Sequence, residues 1–293
     1  MTGFREITAA DASLFREKLG ETPSPQLIGC FEAFYLWREV LRLEYALLDG
    51  VLVVRAWDGE VPRYFFPFGQ GDAVAVVRSL AARSEAEGVP FLLTKVPEGA
   101  KERLERELSG LFLFRNVRDH AEYIYETEKF VTYRGTALQP KRNFVNYAKK
   151  NYAWKYENIE PENRKECLAF AEMFDGNESF EADNEALKTA LREFGRLRLD
   201  GGLLRVDGRI SALFVCAPSE DGQTAAGLFL RGDHRMKGLI PLLYQEFFSV
   251  HPAYRYVNLA EDLGIEGLRK NKLSYQPFRL LELYEGVRNP DRF

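Results

Sequence analysis

The sequence predicts an α+β fold with mixed sheets, assembled from two similar halves in tandem. Three observations carry that expectation. An Asp-Gly pair set between apolar, β-branched runs occurs at Asp49-Gly50 and again at Asp207-Gly208, and such pairs mark two-residue hairpins because both positions tolerate positive φ. After each hairpin the same order follows, a further strand, an amphipathic helix and another strand, which is the mark of an internal duplication. A chain of 293 residues is also near the size at which a single core stops growing and chains divide. The two units are expected at residues 1–125 and 126–293.

In the first half, Cys30 to Trp37 is an aromatic-rich run in which Tyr35 and Trp37 read as core residues. Tyr45 to Trp57 reads as the strand pair around its turn, and Arg63 to Phe68 as the next strand. Gly69-Gln70-Gly71 lacks the third glycine of a dinucleotide-binding loop, Val74 standing in its place, and reads as a turn. Asp72 caps a helix striped by Val74, Val77, Leu80 and Ala81, and Gly88 ends it before the strand Phe91 to Lys95.

Tyr123 to Tyr125 reads as a strand crossing between the halves. A basic helix near Pro140 to Lys150 and a strand from Trp154 to Ile159 follow. Next come a helix with Pro161 in its first turn and an apolar stripe of Leu168, Ala171 and Phe174, and another over Asn184 to Leu197. Gly202 to Val206, Ile210 to Ala217 and Thr224 to Arg231 are strands, Leu239, Leu243 and Phe247 stripe a helix, and the strand Tyr254 to Leu259 closes the unit.

With 46% hydrophobic and 29% charged residues, the chain falls among globular rather than disordered proteins. A net charge of −4 argues against a surface made for general binding to DNA or anionic lipid. No apolar run approaches bilayer length, and Cys30, Cys167 and Cys216 stand apart without a CxxC pair. A cytoplasmic protein with buried thiols and no membrane insertion is therefore expected. His120, His234 and His251 lack a second ligand at helical or hairpin spacing, so no metal is expected.

The order of elements in the second half is that of an N-acetyltransferase-type (GNAT, acyl-CoA N-acyltransferase-like) fold. Tyr256-Val257-Asn258, the run from Glu261-Asp262-Leu263-Gly264 to Lys270, and Lys272 to Pro277 resemble a bacterial family of unknown function grouped with the C-terminal domain of phosphatidylglycerol lysyltransferase. Cys30 to Trp37 and Lys141 to Tyr147 fit the same family. The resemblance implies two tandem GNAT-like domains, an acyltransferase or aminoacyltransferase ancestry, and acyl-CoA or aminoacyl-tRNA as donor substrate.

In such a fold two central parallel strands splay apart, and the helix after the first offers free amides to a diphosphate. That loop is Arg235-Met236-Lys237-Gly238-Leu239-Ile240, with Arg235 and Gly238 as candidate donor contacts. Ile240 stands where a small residue would admit phosphate, so acetyl-CoA is expected to bind weakly or not at all. Asn258 ends the second splayed strand as a polar contact or a strand cap. Glu261 and Asp262 stand at a helix start, where a carboxylate serves either as base on an attacking amine or as a partner of the helix dipole. Arg269 and Lys272 share a face of that helix beside Tyr275, which suits an anionic ligand and protonation of a leaving group, or a solvated face. Arg142 and Asn146 line one side of the basic helix near Tyr147, facing an RNA end, a phosphorylated ligand or water.

These residues predict a pocket in the second half, with Glu261, Asp262 and Tyr275 catalytic and Asn258, Arg269, Lys272, Arg142, Asn146, Arg235 and Gly238 binding. The expected reaction is transfer of an acyl or aminoacyl group to an amine or hydroxyl on a small molecule. The competing reading is a protein that holds an amino acid, nucleotide or RNA end in a degenerate cleft without reaction.

Overall fold

At both Asp-Gly pairs the backbone enters the left-handed region, with φ of 47° and 81° at Asp49 and Gly50 and of 49° and 78° at Asp207 and Gly208. Leu48 pairs with Val51 and Val206 with Arg209, so each turn closes a two-residue hairpin. The computed structural model describes residues 3–174 and 181–291.

The first half runs β1 (Arg5–Glu6), α1 (Ala12–Glu21), α2 (Phe31–Trp37), β2 (Glu44–Leu48), β3 (Val51–Asp58), β4 (Val61–Phe65), α3 (Ala73–Ala86), β5 (Leu92–Pro97), α4 (Glu98–Glu107) and β6 (Phe112–Asn116). Then come β7 (Glu122–Glu126), α5 (Thr127–Thr132), α6 (Gln139–Asn151), β8 (Trp154–Asn158), α7 (Arg164–Glu172) and α8 (Glu181–Glu193). The chain continues through β9 (Asp200–Val206), β10 (Arg209–Pro218), β11 (Thr224–Gly232), α9 (Leu239–Val250), β12 (Tyr256–Asn258), α10 (Glu266–Leu273), β13 (Arg279–Leu281) and β14 (Leu283–Arg288).

Among the described residues these strands form two seven-stranded sheets, ordered β1-β2-β3-β4-β5-β14-β6 and β8-β9-β10-β11-β12-β7-β13. The two orders match position for position, and in each the fourth and fifth strands are the parallel pair. The sixth place in each sheet is taken by a strand from outside that half. β14 enters the first sheet between β5 and β6, and β7 enters the second between β12 and β13. The boundary expected at 125/126 falls inside β7, so the halves exchange strands rather than simply follow one another.

Asp72 caps α3 by accepting from the Ala75 amide at 3.0 Å, as its sequence predicts. The helix expected from Pro161 begins instead at Arg164. Asn163 accepts from the Glu160 amide and donates to the Asn158 carbonyl, which holds the intervening residues as a turn. α4 has no strong sequence pattern because only Ala100 and Leu104 of its residues are buried.

Alternate residues of the central strands serve opposite faces. Leu52 and Val54 of β3 and Leu213 and Val215 of β10 face a core between the sheets, with Phe15, Phe31 and Phe34 from one half and Leu187 and Phe229 from the other. Trp37 stacks on Phe229 with ring centroids 4.9 Å apart, and the Tyr35 hydroxyl donates to Glu193, so both aromatics belong to this shared core. Val51 and Val53 pack toward α3 and α4, while Leu204 and Phe214 pack toward α6 and α9. The three cysteines are buried and unpaired. Among the described residues no helix is long and apolar enough to cross a membrane, and no cluster of three His, Cys, Asp or Glu side chains is placed to hold a metal.

Candidate functional site

Strand exchange brings three stretches of chain together where β5 and β12 end. Lys95 sits at a kink in β5 with φ of 49°, beside a register shift in the pairing with β14. Its ammonium donates to Glu261 Oε2 at 2.6 Å. Glu122, the first residue of β7, is 0% exposed; its Oε2 accepts from the Leu27 amide at 2.8 Å and from Asn258 Nδ2 at 2.6 Å. Asn258 Nδ2 also donates to the Pro25 carbonyl, and Asn258 Oδ1 accepts from the Ala260 amide, both at 2.8 Å.

Burial opposes the charge on Lys95, but Glu261 and Glu122 outweigh it and hold the ammonium above its usual range. Burial pushes the Glu122 carboxyl up, with Lys95 pulling the other way. A largely desolvated ammonium can donate to an oxygen that gains negative charge, although its two carboxylate neighbours offset part of its field.

Lys95 also lines a cavity of about 350 Å³. One wall is Phe66, Pro67 and Phe68, where the chain leaves β4; the opposite wall is Pro97, Gly99, Ala100 and Arg103 at the start of α4, and Ser24, Gln26 and Ile28 form the rim. The cavity thus lies at the mouth of the splayed pair in the first half. The pocket expected from the sequence was in the second half, and its proposed residues separate into several groups.

Asn258 and Glu261 join the cluster with Lys95. Asp262 and Arg269 form a network of their own, in which Asp262 Oδ2 accepts from Arg269 Nε at 2.9 Å, Tyr123 OH at 2.5 Å and Arg118 Nη1 at 3.1 Å. Oδ1 accepts from Arg269 Nη2 at 2.7 Å and the Gly264 amide at 3.0 Å. The Arg269 bonds, reinforced by Tyr123 and Gly264, hold the Asp262 carboxyl well below the carboxylate range. With five donors on it, Asp262 has no lone pair free to act as a base. The segment Asp262-Leu263-Gly264 is the turn that closes this network: Leu263 and Gly264 have φ of 54° and 73°, and a Cβ on Gly264 would stand 2.9 Å from Asp119 Oδ2.

Lys272 donates to the Leu259 and Ala260 carbonyls, bracing the turn after β12, and burial lowers its ammonium to about 8. Tyr275 is 5% exposed among Phe130, Tyr133 and Tyr244, and burial raises its phenol well above the usual range. Arg142 donates to the Tyr133 and Gly135 carbonyls after α5. Asn146 is exposed, and Arg235, 77% exposed, pairs with Asp233. Gly238, with φ of 89°, starts α9 but lies under α6, where an added Cβ would come within 2.2 Å of the Phe144 carbonyl oxygen.

In the first half, the loop that leads into α3 is engaged by this chain's own side chains. Glu21 Oε2 accepts from the Gln70 amide at 2.7 Å, and Thr22 Oγ1 from the Gly69 amide at 3.0 Å. These are amides that a diphosphate would need. Sequence reasoning missed Lys95 and Glu122, although the sequence held a signal: Lys95 is the one charged residue in the largely apolar run Phe91 to Pro97.

The model of the family described as phosphatidylglycerol lysyltransferase, C-terminal, matches residues 29–285. A conserved protein of unknown function from Bacteroides thetaiotaomicron VPI-5482 is 33% identical over 98% of this chain and 100% of that one, with a TM-score of 0.90. The C-terminal domain of a putative lysylphosphatidylglycerol synthetase from Agrobacterium fabrum superposes with a TM-score of 0.71 at 15% identity, covering 97% and 93%. A tandem GNAT protein from the clavulanic acid biosynthesis pathway shares the fold at a TM-score of 0.51 and 10% identity, covering 99% of both chains. No curated protein sequence matches. A duplicated sheet order with one parallel pair in each half, together with the match over residues 29–285, places the chain in the phosphatidylglycerol lysyltransferase C-terminal domain family, with a tandem GNAT-like fold.

Proposed function

We propose that this protein transfers an acyl or aminoacyl group from an activated ester to an amine or hydroxyl on a small-molecule acceptor. The reaction takes place in the cavity between Phe66–Phe68 and the start of α4. The observation that supports this reading most is that Lys95 both lines that cavity and pairs through its ammonium with Glu261, a carboxylate from the other half. In the reaction, the acceptor nitrogen or oxygen bonds to the donor carbonyl carbon. Lys95 donates to the oxyanion that develops there. Glu261 takes the proton shed by the attacking atom and gives it to the leaving oxygen as collapse of the intermediate breaks the ester bond, which releases the donor alcohol and restores the Glu261 carboxylate. Asn258 serves by positioning Glu122 and the loop around Pro25.

In the first half the amides of the loop before α3 are taken by this chain's own Glu21 and Thr22, and in the second half the Phe144 carbonyl packs close against Gly238. An aminoacyl-tRNA, which needs no seat for a diphosphate, therefore suits the site better than acyl-CoA. The same contacts support a second reading, a binding protein without turnover. The test incubates the protein with radiolabelled aminoacyl-tRNAs or acyl-CoA thioesters and a fractionated extract of polar and lipid-soluble acceptors. Label passing from an aminoacyl-tRNA to an acceptor, and lost in Lys95→Ala, is the expected result. Donor hydrolysis at the uncatalysed rate, with ligand nevertheless bound, favours the second reading.

A further inference from the structure

Buried carboxylates normally have both oxygens hydrogen-bonded, and Glu122 departs from this. Its side chain is wholly buried, yet Oε1 has no hydrogen-bond partner. Oε2, by contrast, joins the two halves. It takes the Leu27 amide, between the rim residues Gln26 and Ile28, and Asn258 Nδ2 from the end of β12, while the same Asn258 nitrogen grips the Pro25 carbonyl. On that rim, Gln26 Nε2 donates to the Lys95 carbonyl at 3.1 Å. From Glu122 a continuous path of hydrogen bonds and chain therefore reaches the backbone of Lys95.

We infer that Glu122 is a positioning residue for the cavity: it holds the Pro25–Leu27 segment, which carries the rim residue Gln26, against β12 and sets a second negative charge on the Lys95 ammonium. The inference rests on the proposed role of Lys95. The charges facing Lys95 are Glu261, from the loop after β12, and Glu122, from β7. Glu122 in turn faces Lys95 and Glu261, and it acts with Glu261 and Asp262 on Lys272 of α10. A neutral side chain of the same shape at position 122 preserves the rim and removes the charge.

The test follows acetylation of Lys95 by acetic anhydride against pH, read by mass spectrometry, in wild type, Glu122→Gln and Glu122→Asp. Lys101, paired with Glu105 on α4, is the internal reference. In Glu122→Gln the Lys95 midpoint falls by at least about one pH unit, giving about tenfold faster labelling below the midpoint. In Glu122→Asp, where the charge remains, the midpoint stays at the wild-type value. An unmoved midpoint in the Gln variant, or an equal fall in the Asp variant, overturns the assignment. Labelling needs no donor or acceptor. A protein that fails to transfer but shows the shift counts against the proposed reaction alone, and one that transfers without the shift counts against Glu122 alone.

Discussion

The Lys95 ammonium rests 2.6 Å from Glu261 Oε2, so a strand of the first sheet and the loop after a strand of the second share one ion pair. The two side chains are 20% and 18% exposed, which is too little water for the pair to count as a screened surface contact. A double-mutant cycle with Lys95→Ala and Glu261→Ala, measured by urea unfolding, is expected to give a coupling of about 0.5–3 kcal/mol. Additive effects would mean that the pair does not join the halves.

Removal of Asp262 should act on folding. Asp262→Ala leaves Arg118, Arg269 and the Tyr123 hydroxyl without their shared acceptor and is expected to cost about 1–3 kcal/mol, the range for removing one partner of buried or half-buried hydrogen bonds. The Asp262 carboxyl is depressed in the folded state, so its contribution is complete above the unfolded value of about 3.9 and is lost as pH falls below it. Unfolding midpoints across acid pH test this: the wild type should lose stability more steeply than Asp262→Asn. Parallel curves would remove the network from the account.

Lys141 carries the opposite sign. Its ammonium is buried, lies 3.6 Å from the Tyr275 ring centroid, and has Asn271 Oδ1 at 3.2 Å as its hydrogen-bond acceptor. Burial lowers it to about 8. A lysine depressed on folding penalises the native state in full below that pH, and the penalty fades as pH rises toward the unfolded value of about 10.4. Lys141→Met is expected to stabilise the protein at neutral pH and to flatten the rise in stability from pH 8 upward. A neutral-pH loss of stability in this variant contradicts that sign.

Acetyl-CoA should leave the melting temperature of the wild type unchanged at low micromolar concentration, because a ligand at a hundredfold excess over Kd would add about 2.7 kcal/mol. Glu21→Ala frees the Gln70 amide and is expected to allow weak phosphate or sulfate binding at the start of α3. A clear acetyl-CoA shift in the wild type would reverse this reading of Glu21 and Phe144.

The hairpins, the α3 cap and the duplication are legible in the sequence because each rests on local signals: an Asp-Gly pair, a capping Asp, an apolar period. Strand exchange is legible only in part: Tyr123 to Tyr125 reads as a strand crossing between the halves, but β14 carries no mark of the sheet it joins. The site divided along the same line. Asn258 and Glu261 stand out from their place after a strand. Lys95 and Glu122, however, gain their meaning only when the exchanged β7 lies beside β12, and Asp262 and Arg269 are polar residues whose ring of partners comes from Arg118 to Tyr123, far away in the chain. Tyr275 and Arg142 read as available because sequence spacing does not reveal that Phe130 and Tyr133 pack against Tyr275 or that the Tyr133 and Gly135 carbonyls take the Arg142 guanidinium.

The central claim is that the cavity beside Lys95 is the site of transfer, and Gly99 offers the most direct test. Gly99 lines the cavity, and a Cβ added there meets nothing within 4 Å, so Gly99→Trp sets an indole at the cavity's edge without disturbing the core. Single-turnover transfer from labelled aminoacyl-tRNA, measured beside the melting temperature, should fall to the uncatalysed rate in Gly99→Trp while the protein stays folded with a melting temperature close to that of the wild type. Transfer at the wild-type rate by a folded Gly99→Trp would show that the reaction takes place elsewhere.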